Sequence, residues 1–200
     1  MYPFTKRAID VLVAGMALFI LSPVLAVLAI AIRYQDGGPA LYVQERVGRG
    51  GRPFRFIKFR SMSIASNNLR ESVIAQAGQR TAVRFKDRRD PRITPLGRFL
   101  RRTSLDELPQ LWSVLVGDMS LVGPRPPLPS EVAAYDRRMW RRLDVEPGLT
   151  CTWQVSGRSD IDFEQQIELD LDYVQCRGMW FDLMLLARTP AAVLSGRGAY

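Results

Sequence analysis

SLDELPQLW, residues 104–112, places two adjacent carboxylates, Asp106 and Glu107, at the predicted start of a helix. Ser104, three residues before Glu107 and ahead of an apolar run, gives the segment the form of a capping box. Because a proline belongs in the first helical turn, Pro109 predicts that the regular helix begins only after the carboxylates. The pair then lies at the positive end of the helix dipole, where an ionised carboxylate can act as a nucleophile or bind a divalent cation. The alternative is that both residues merely cap the helix.

The composition fits one domain of ordinary size with a small appendage, and it indicates an acidic partner. The chain has 200 residues, of which 47% are hydrophobic, and a formal net charge of +8. Only three of its 28 basic residues are lysines, and the planar fork of arginine suits phosphate groups. A nucleotide, a lipid phosphate or a nucleic acid could each be that partner.

Histidine is absent from the sequence, which excludes Ser-His-Asp and Cys-His nucleophile systems and zinc sites that rely on imidazole. Cys151 and Cys176 are the only cysteines, as expected of a protein in a reducing compartment. Any catalysis must therefore use carboxylates, arginine, lysine, hydroxyl groups or a bound metal, which directs attention back to Asp106 and Glu107.

The first part of the chain contains a segment that is predicted to enter the membrane. Residues 11–32 carry no charge and would form a helix of about 33 Å, long enough to cross the apolar core of a bilayer. Pro23 follows Ser22 at the centre of this segment and removes the hydrogen bond to the Phe19 carbonyl, which predicts a break in the helix. A serine hydroxyl or a neighbouring group could satisfy the freed carbonyl.

Basic residues flank this segment and predict its topology. Lys6 and Arg7 precede it and Arg33 follows it, so the positive-inside rule assigns both ends to the cytoplasmic side. A re-entrant helix hairpin, broken at the serine-proline pair, satisfies this rule better than a single span does. A cleaved signal peptide is the third option, but the apolar run is longer than a typical h-region. We therefore expect residues 1–35 to be embedded in the membrane and residues 36–200 to form a compact, cytoplasmic, membrane-associated domain.

The rest of the chain predicts an α+β, mainly helical fold with a small β-hairpin. Residues 41–47 and 54–59 have the pattern of two strands around a glycine-rich turn, with Lys58 and Arg60 on one face of the second strand. These two cations could equally mark a solvated edge. Further along, we expect a helix and a polar loop within 64–92 and an amphipathic interfacial helix from Pro95. A helix is predicted over 130–143, and its arginines beside Trp140 suit the membrane interface or a nucleic-acid surface. A strand ending at the Gly157–Arg158 turn and a helix over 163–177 capped by Asp162 follow, and the apolar segment over 179–195, interrupted by Pro190, is interfacial or packed on the core.

Two further arginines lie in turns that could present them to an anion. Arg125 is held between prolines in GPRPP, residues 123–127, and Arg158 follows Gly157 in a Gly-Arg turn. An arginine that is already ordered loses little freedom on binding a phosphate, and both side chains could meet the same anion. The alternative for Arg125 is a solvent-exposed arginine in a linker.

Five motifs in a fixed order make the sequence similar to a known family. They are KFRSM (58–62), SLDELPQLW (104–112), GDMSLVGPRP (117–126), PGLT (147–150) and WQVSGR (153–158). Together they cover almost the whole chain and resemble the bacterial sugar transferases, the monotopic phosphoglycosyl transferases. WQVSGR and the ending LSGRGAY look most like the exopolysaccharide-initiating members, which transfer galactose or glucose 1-phosphate.

The resemblance implies a reaction at the cytoplasmic face of the inner membrane, in which a UDP-sugar donates sugar 1-phosphate to undecaprenyl phosphate and UMP leaves. It implies that Asp106 is the nucleophile and forms a phosphosugar-enzyme intermediate. Glu107 would assist by holding the metal or by handling a proton, and the family's cofactor is Mg²⁺, for which Asp106 and Glu107 would be the ligands. The family's phosphate-binding positions fall on Arg125 and Arg158 and, in the basic strand motif, on Lys58 and Arg60.

Membrane lipids are a further expected partner, nucleic acid is not, and a homodimer is left open. The first competing hypothesis is a non-catalytic membrane-surface protein that binds anionic lipids. The second is a nucleic-acid binder, which would explain the arginines but not the apolar segment. The chain also departs from the family at Cys151, where members commonly carry glycine, and a positive φ at this position would strain the cysteine.

Overall fold

Helices dominate the computed structural model, which describes residues 2–64, 90–196 and 198, so the predicted α+β, mainly helical character is confirmed. The helices are α1 (Tyr2–Asp36), α2 (Pro95–Thr103), α3 (Gln110–Val116), α4 (Pro129–Val132), α5 (Thr152–Ser156), α6 (Phe163–Cys176) and α7 (Met179–Ser195). The strands are β1 (Leu41–Val47), β2 (Pro53–Phe59), β3 (Ser120–Val122) and β4 (Gly148–Thr150). Most of the helix and polar loop predicted within 64–92 lies outside the described residues.

The strands form two small sheets, one of which is the predicted hairpin. β1 and β2 pair antiparallel, with Tyr42 opposite Lys58. β3 and β4 form a parallel pair in which Val122 lies opposite Thr150. Beside this second sheet, the backbones of Gly148 and Gly123 approach each other closely. A Cβ on Gly148 would lie only 2.0 Å from the backbone nitrogen of Gly123. Glycine is therefore required where β4 begins, next to the loop that carries the GPRP sequence.

α1 is one helix of 35 residues, about 52 Å long at 1.5 Å per residue, and it continues through Pro23. The hydroxyl of Ser22 donates a hydrogen bond of 2.8 Å to the Phe19 carbonyl, as predicted for the group that the proline leaves unpaired. Among the described residues this is the one helix long and apolar enough to cross a membrane. The predicted break of the helix at Ser22 and Pro23 is therefore wrong, because α1 stays helical through both residues. The re-entrant arrangement stays a prediction.

Both halves of α1 pack against the same folded unit. Ala14, in the first half, is buried in a cluster that includes Val114 of α3. Ile32, in the second half, is buried with Phe59 of β2 and Leu100 of α2. Apolar side chains between these contacts stay exposed: Met16, Phe19, Ile20, Val24, Val27 and Ile30.

Polar side chains near the two ends of α1 bind this unit as well. The Lys6 ammonium donates to the Val122 carbonyl at 3.0 Å and to the Asp182 carboxylate at 2.7 Å. At the other end, Asp36 forms an ion pair with Arg60. Two widely separated points of α1 are therefore bound to the same domain.

The single helix predicted over 130–143 is wrong. The chain forms the short helix α4, leaves helical geometry, and resumes with a 3-10 helix at Met139–Asp144. Val132 and Leu143 both pack in one cluster with Val47. In a continuous helix these two residues would lie about 16 Å apart along the axis, so the chain must bend to place both on Val47.

The strand predicted before the Gly157–Arg158 turn is also wrong, because that segment forms the helix α5. The strand ends earlier, at Thr150, where the pairing with the three-residue β3 ends. A backbone without a partner strand must satisfy its hydrogen bonds locally, and a helical turn does so.

α7 and α2 each combine a buried side with an exposed apolar residue. α7 continues through Pro190, so the predicted interruption is wrong, and it packs on the core through Asp182 and Leu185. Trp180 of α7 is 82% exposed. α2 begins as predicted, with Thr94 as its N-cap, and buries Leu100 while Phe99 stays exposed. The predicted binding of these helices to a membrane surface stays a prediction.

Candidate active site

Asp106 and Glu107 lie in a 3-10 turn, Leu105–Glu107, between α2 and α3, so they precede the regular helix as predicted. The predicted capping box is wrong. Ser104 has a φ of 55° and its side chain makes no cap bond. Instead, its hydroxyl accepts a hydrogen bond from Arg158, and the Glu107 carboxylate accepts one from Arg125. Both side chains that would form the box are therefore turned towards arginines.

Asp106 is enclosed and has no hydrogen-bond partner for its side chain among the described residues. Only 8% of the residue is exposed to solvent, and no described residue donates a hydrogen bond to its side chain. Burial, followed by the charge of Glu107, raises the pKa of Asp106 to about 6, although Lys58, Arg101 and Arg125 oppose this shift. The predicted preference for the ionised form is therefore wrong for Asp106, because burial and the charge of Glu107 outweigh the three cations.

Glu107 behaves in the opposite way. Burial alone would raise its pKa, but the charge and the 2.8 Å hydrogen bond of Arg125, followed by the charges of Lys58 and Arg158, hold its pKa below the ordinary value. Glu107 is thus an ionised carboxylate in a fixed orientation, whereas the neighbouring Asp106 has no such partner among the described residues. The pKa values of two adjacent carboxylates are therefore shifted in opposite directions.

Arg125 is held by the loop around it. Its guanidinium lies 6.0 Å from the centre of the Phe56 ring and pairs with Glu107. Arg46 donates to the Pro126 carbonyl at 3.0 Å, and Arg142 donates to the carbonyl of Arg125 at 3.4 Å. Arg46 and Arg142 therefore hold the backbone at Arg125, in addition to the flanking prolines that the sequence indicated.

Arg142 was predicted to lie at a membrane interface, and this prediction is wrong. The residue is only 6% exposed and pairs with Asp170 of α6, which is fully buried. Burial raises the pKa of Asp170 to about 6 even though the charge of Arg142 opposes the shift. Because Arg142 also donates to the Arg125 carbonyl, this pair helps to hold Arg125 in place. Arg137 and Arg141, in contrast, are exposed.

Lys58 and Arg60 separate in the structure. Lys58 lies beside the carboxylate pair, and burial lowers its pKa to about 8 although Asp106 counteracts the shift. Arg60 follows the end of β2 and binds the end of α1, where it pairs with Asp36 and donates to the Ile32 carbonyl at 3.4 Å. The fold therefore brings Lys58, but not Arg60, to the carboxylates.

Arg101 is a residue of this site that sequence reasoning missed, because its helix, α2, was predicted only as an amphipathic interfacial helix. Its Nε atom donates to the Ser61 hydroxyl at 2.9 Å, and its charge acts on Asp106. The left-handed residue Ser104 turns the chain back after α2, which brings the last turn of that helix beside the carboxylates. An arginine five residues before an aspartate in such a turn is the signal that could have found it.

Arg158 reaches the same place from the other side. It has a φ of 55°, and its Nη2 atom donates to the Ser104 hydroxyl at 3.3 Å. Its charge and that of Arg125 both lower the pKa of Glu107. Cys151 causes no strain nearby, because its φ is −147° and its thiol donates to Gln154 at 3.1 Å.

Asp106 and Glu107 fit a Mg²⁺ ion in the way this ion is usually bound. Mg²⁺ prefers oxygen ligands and commonly takes one or two carboxylates, with waters and substrate phosphates completing its octahedron. Over residues 2–64 and 90–196, no group of three or more His, Cys, Asp or Glu side chains forms a cage for a metal. The carboxylate pair fits Mg²⁺ that arrives together with a phosphate ligand, and not a metal held by protein alone.

Comparison with known proteins gives consistent matches. The family model described as bacterial sugar transferase matches residues 1–196. The galactosyl transferase CpsE of Streptococcus agalactiae serotype III (strain NEM316) is 45% identical over 195 residues, which are 97% of this chain and 43% of that protein. The undecaprenyl-phosphate galactose phosphotransferase of Salmonella typhimurium (strain LT2) is 44% identical over 98% of this chain and 42% of its own length.

A third relative has a length closer to that of this chain. The exopolysaccharide production protein ExoY of Rhizobium meliloti (strain 1021) is 37% identical over 98% of this chain and 88% of its own length. The chain thus spans about two fifths of the first two relatives and most of the third.

Proposed function

The chain belongs to the bacterial sugar transferase family, and from this premise we propose that it transfers sugar 1-phosphate from a UDP-sugar to undecaprenyl phosphate. The sugar is of the galactose or glucose type, and the product begins an exopolysaccharide. The observation that carries this proposal is an enclosed aspartate, Asp106, which has no hydrogen-bond donor among the described residues and lies among Lys58, Arg101 and Arg125.

In the first step, a carboxylate oxygen of Asp106 attacks the phosphorus atom that carries the sugar. The bond from this phosphorus to the bridging oxygen breaks, and UMP leaves with the electron pair. The product is an acyl phosphate that joins Asp106 to the sugar. Because no described residue donates a hydrogen bond to Asp106, no such bond has to be broken before the attack.

In the second step, an oxygen of undecaprenyl phosphate attacks the same phosphorus atom. The bond to Asp106 breaks, and the carboxylate is regenerated with its negative charge. The lipid then carries a diphosphate linked to the sugar. A covalent intermediate lets the soluble nucleotide and the membrane lipid occupy the site in turn.

Both steps bring an anion towards phosphoryl oxygens that are already negative, so positive charge must be fixed at the site. Lys58, Arg101, Arg125 and Arg158 supply it without rearrangement, because each is already held beside the carboxylates. Mg²⁺, held by Asp106 and Glu107, would supply further neutralisation at the phosphoryl oxygens. The geometry favours Arg60 as an anchor of α1 and gives no support to its predicted phosphate contact.

The contacts and the exposed apolar residues of α1 support a re-entrant α1 in the membrane, and the positive-inside rule predicts that the domain lies on the cytoplasmic face. Both ends of α1 bind the domain, whereas its middle exposes apolar side chains such as Phe19, which is 83% exposed. Trp112 and Val116 of α3, four residues apart on one side of the helix that follows the carboxylates, are also exposed. A lipid phosphate could therefore reach Asp106 along an apolar surface.

The test is release of UMP from a panel of UDP-sugars in the presence of undecaprenyl phosphate and MgCl₂. We expect turnover with one or more hexose donors, loss of turnover in Asp106→Asn, and normal turnover in Asp172→Asn, a matched change at an exposed aspartate. The competing non-catalytic lipid-binding protein would release no UMP, and its binding to anionic vesicles would be the same in Asp106→Asn. That result would refute the proposed function.

A further inference from the structure

Gly198, beyond the end of α7, packs against the turn that carries Arg158. Its carbonyl accepts a long hydrogen bond of 3.4 Å from the backbone N–H of Ser159, and the residue is buried. A Cβ on Gly198 would lie 2.6 Å from the Gly157 carbonyl oxygen, 2.8 Å from the Ser159 nitrogen and 2.9 Å from the Arg158 Cβ. These distances are shorter than any non-bonded contact allows, so only glycine fits between this segment and the turn.

The turn holds Arg158 in an unusual backbone conformation. Arg158 and Ser104 are the two non-glycine residues with positive φ in the described part of the chain, and both have a φ of 55°. The Arg158 guanidinium donates to the Ser104 hydroxyl, two residues before Asp106. A non-glycine residue keeps such a conformation only when its surroundings enforce it. The contact with Gly198 is one of the surroundings that can enforce it.

We propose that Gly198 is a positioning residue for Arg158. By packing on the backbone of residues 157–159, it holds the turn in the conformation that directs the guanidinium to Ser104 and the carboxylate pair. A side chain at position 198 pushes the turn away, and Arg158 then loses its place beside Glu107. This inference rests on the proposed function, in which Arg158 neutralises phosphoryl charge.

Gly196 provides a matched control two residues earlier. It ends α7 in the same left-handed conformation, with a φ of 60° against 62° at Gly198. Of the described residues, a Cβ on Gly196 would meet only the side chain of Arg102, at 3.6 Å, which is an ordinary van der Waals contact. Gly196→Ala and Gly198→Ala therefore carry the same backbone penalty, and only the second one disturbs the Arg158 turn.

The first readout does not depend on activity. Amide hydrogen exchange over residues 155–161 is compared in the full-length Gly196→Ala and Gly198→Ala proteins, with melting temperatures measured in parallel. We expect faster exchange of this segment in Gly198→Ala only, with similar melting temperatures for the two variants. Equal exchange in the two variants would overturn the proposal, whether or not the wild-type protein releases UMP.

The second readout is kcat/KM for UMP release with the accepted UDP-sugar. We expect Gly198→Ala to lose at least tenfold relative to Gly196→Ala. Combined with Arg158→Lys, it should lose no more than the worse of the two single variants does. Equal kcat/KM for the two glycine variants, or losses that multiply fully in the double variant, would overturn the positioning role. A wild-type protein that releases no UMP would instead refute the proposed function and leave the exchange experiment to decide this inference.

Discussion

Asp106 and Glu107 are neighbours in the chain but stand in different surroundings. Arg125 binds Glu107 directly and keeps it ionised, whereas Asp106 has no hydrogen-bond donor among the described residues and a pKa raised by burial to about 6. Environments that separate the pKa values of two titratable groups commonly give the groups separate roles in catalysis. We therefore propose that Asp106 forms the bond to phosphorus and that Glu107 holds the positively charged Arg125 in place.

Substitution of the two carboxylates should therefore have unequal effects. Asp106→Asn removes the nucleophile at constant shape and should lower the rate of UMP release by at least about 10³-fold. Glu107→Gln leaves the Arg125 guanidinium without its charged partner and should lower kcat/KM by about 10- to 100-fold. Steady-state kinetics of the purified proteins in detergent measure both effects. A larger loss in Glu107→Gln than in Asp106→Asn would contradict this assignment of roles.

Arg101 and Arg102 offer a matched test of the residue that the sequence did not reveal. Arg101 is partly buried and its charge acts on Asp106, whereas Arg102, the next residue, is exposed. Arg101→Gln should lower kcat/KM at least about tenfold, because one fixed cation is lost from the phosphoryl site. Arg102→Gln should stay within about twofold of the wild-type value. Similar values for the two variants would exclude Arg101 from the site.

At the level of elements, the sequence predicted those features that local signals determine. The β-hairpin follows from alternation around a glycine-rich turn, and Asp162 and Thr94 cap α6 and α2 as their positions indicated. The capping box at Ser104 failed because two arginines that are distant in sequence, Arg125 and Arg158, bind its two side chains. A local pattern cannot reveal such competing partners.

Asp182 joins three elements and should be essential for stability. The Lys6 ammonium of α1 and the Tyr173 hydroxyl of α6 both donate to this carboxylate of α7, at 2.7 Å each. Asp182→Ala leaves the partly buried Lys6 without its counter-ion and should lower the free energy of unfolding by about 3–5 kcal/mol. Thermal and denaturant unfolding of the purified protein measure this loss.

The exposed ion pair between Arg49 and Glu146 serves as the control for Asp182. Glu146→Gln should change the free energy of unfolding by no more than about 1 kcal/mol, because solvent screens both charges. Equal losses in the two variants would mean that the contact between α1 and α7 does not stabilise the fold.

Over the whole molecule, the contacts of α1 support the proposed re-entrant arrangement in the membrane. Both ends of this helix bind the same domain, through Lys6 at one end and Asp36 at the other. A helix that crossed the bilayer once would carry one end away from the domain. The contacts thus agree with the charge distribution, which assigns both ends to the cytoplasmic side.

Cysteine labelling in intact cells tests this arrangement. Pro3→Cys and Gln35→Cys place thiols at exposed positions near the two ends of α1, in a Cys176→Ser background that removes the exposed native cysteine. We expect an impermeant maleimide to label neither position in intact cells and both positions in inverted membrane vesicles. Labelling of Pro3→Cys in intact cells would show that α1 crosses the membrane.

The architecture as a whole was only partly accessible from the sequence. The apolar helix, the mainly helical domain and the basic surroundings of the carboxylates follow from composition and motif order. The burial of Arg142 does not, because its partner Asp170 lies 28 residues further along the chain. The packing of Gly198 on the Arg158 turn is equally invisible, since it depends on where the end of α7 meets α5.

The covalent bond to Asp106 is the central claim, and intact-protein mass spectrometry tests it most directly. The protein is incubated with the accepted UDP-sugar and MgCl₂ in the absence of undecaprenyl phosphate. The account predicts a mass increase of one hexose phosphate that maps to Asp106, disappears on addition of undecaprenyl phosphate, and is absent from Asp106→Asn. A protein that stays unmodified with the donor alone, yet releases UMP once the lipid acceptor is added, would contradict the account.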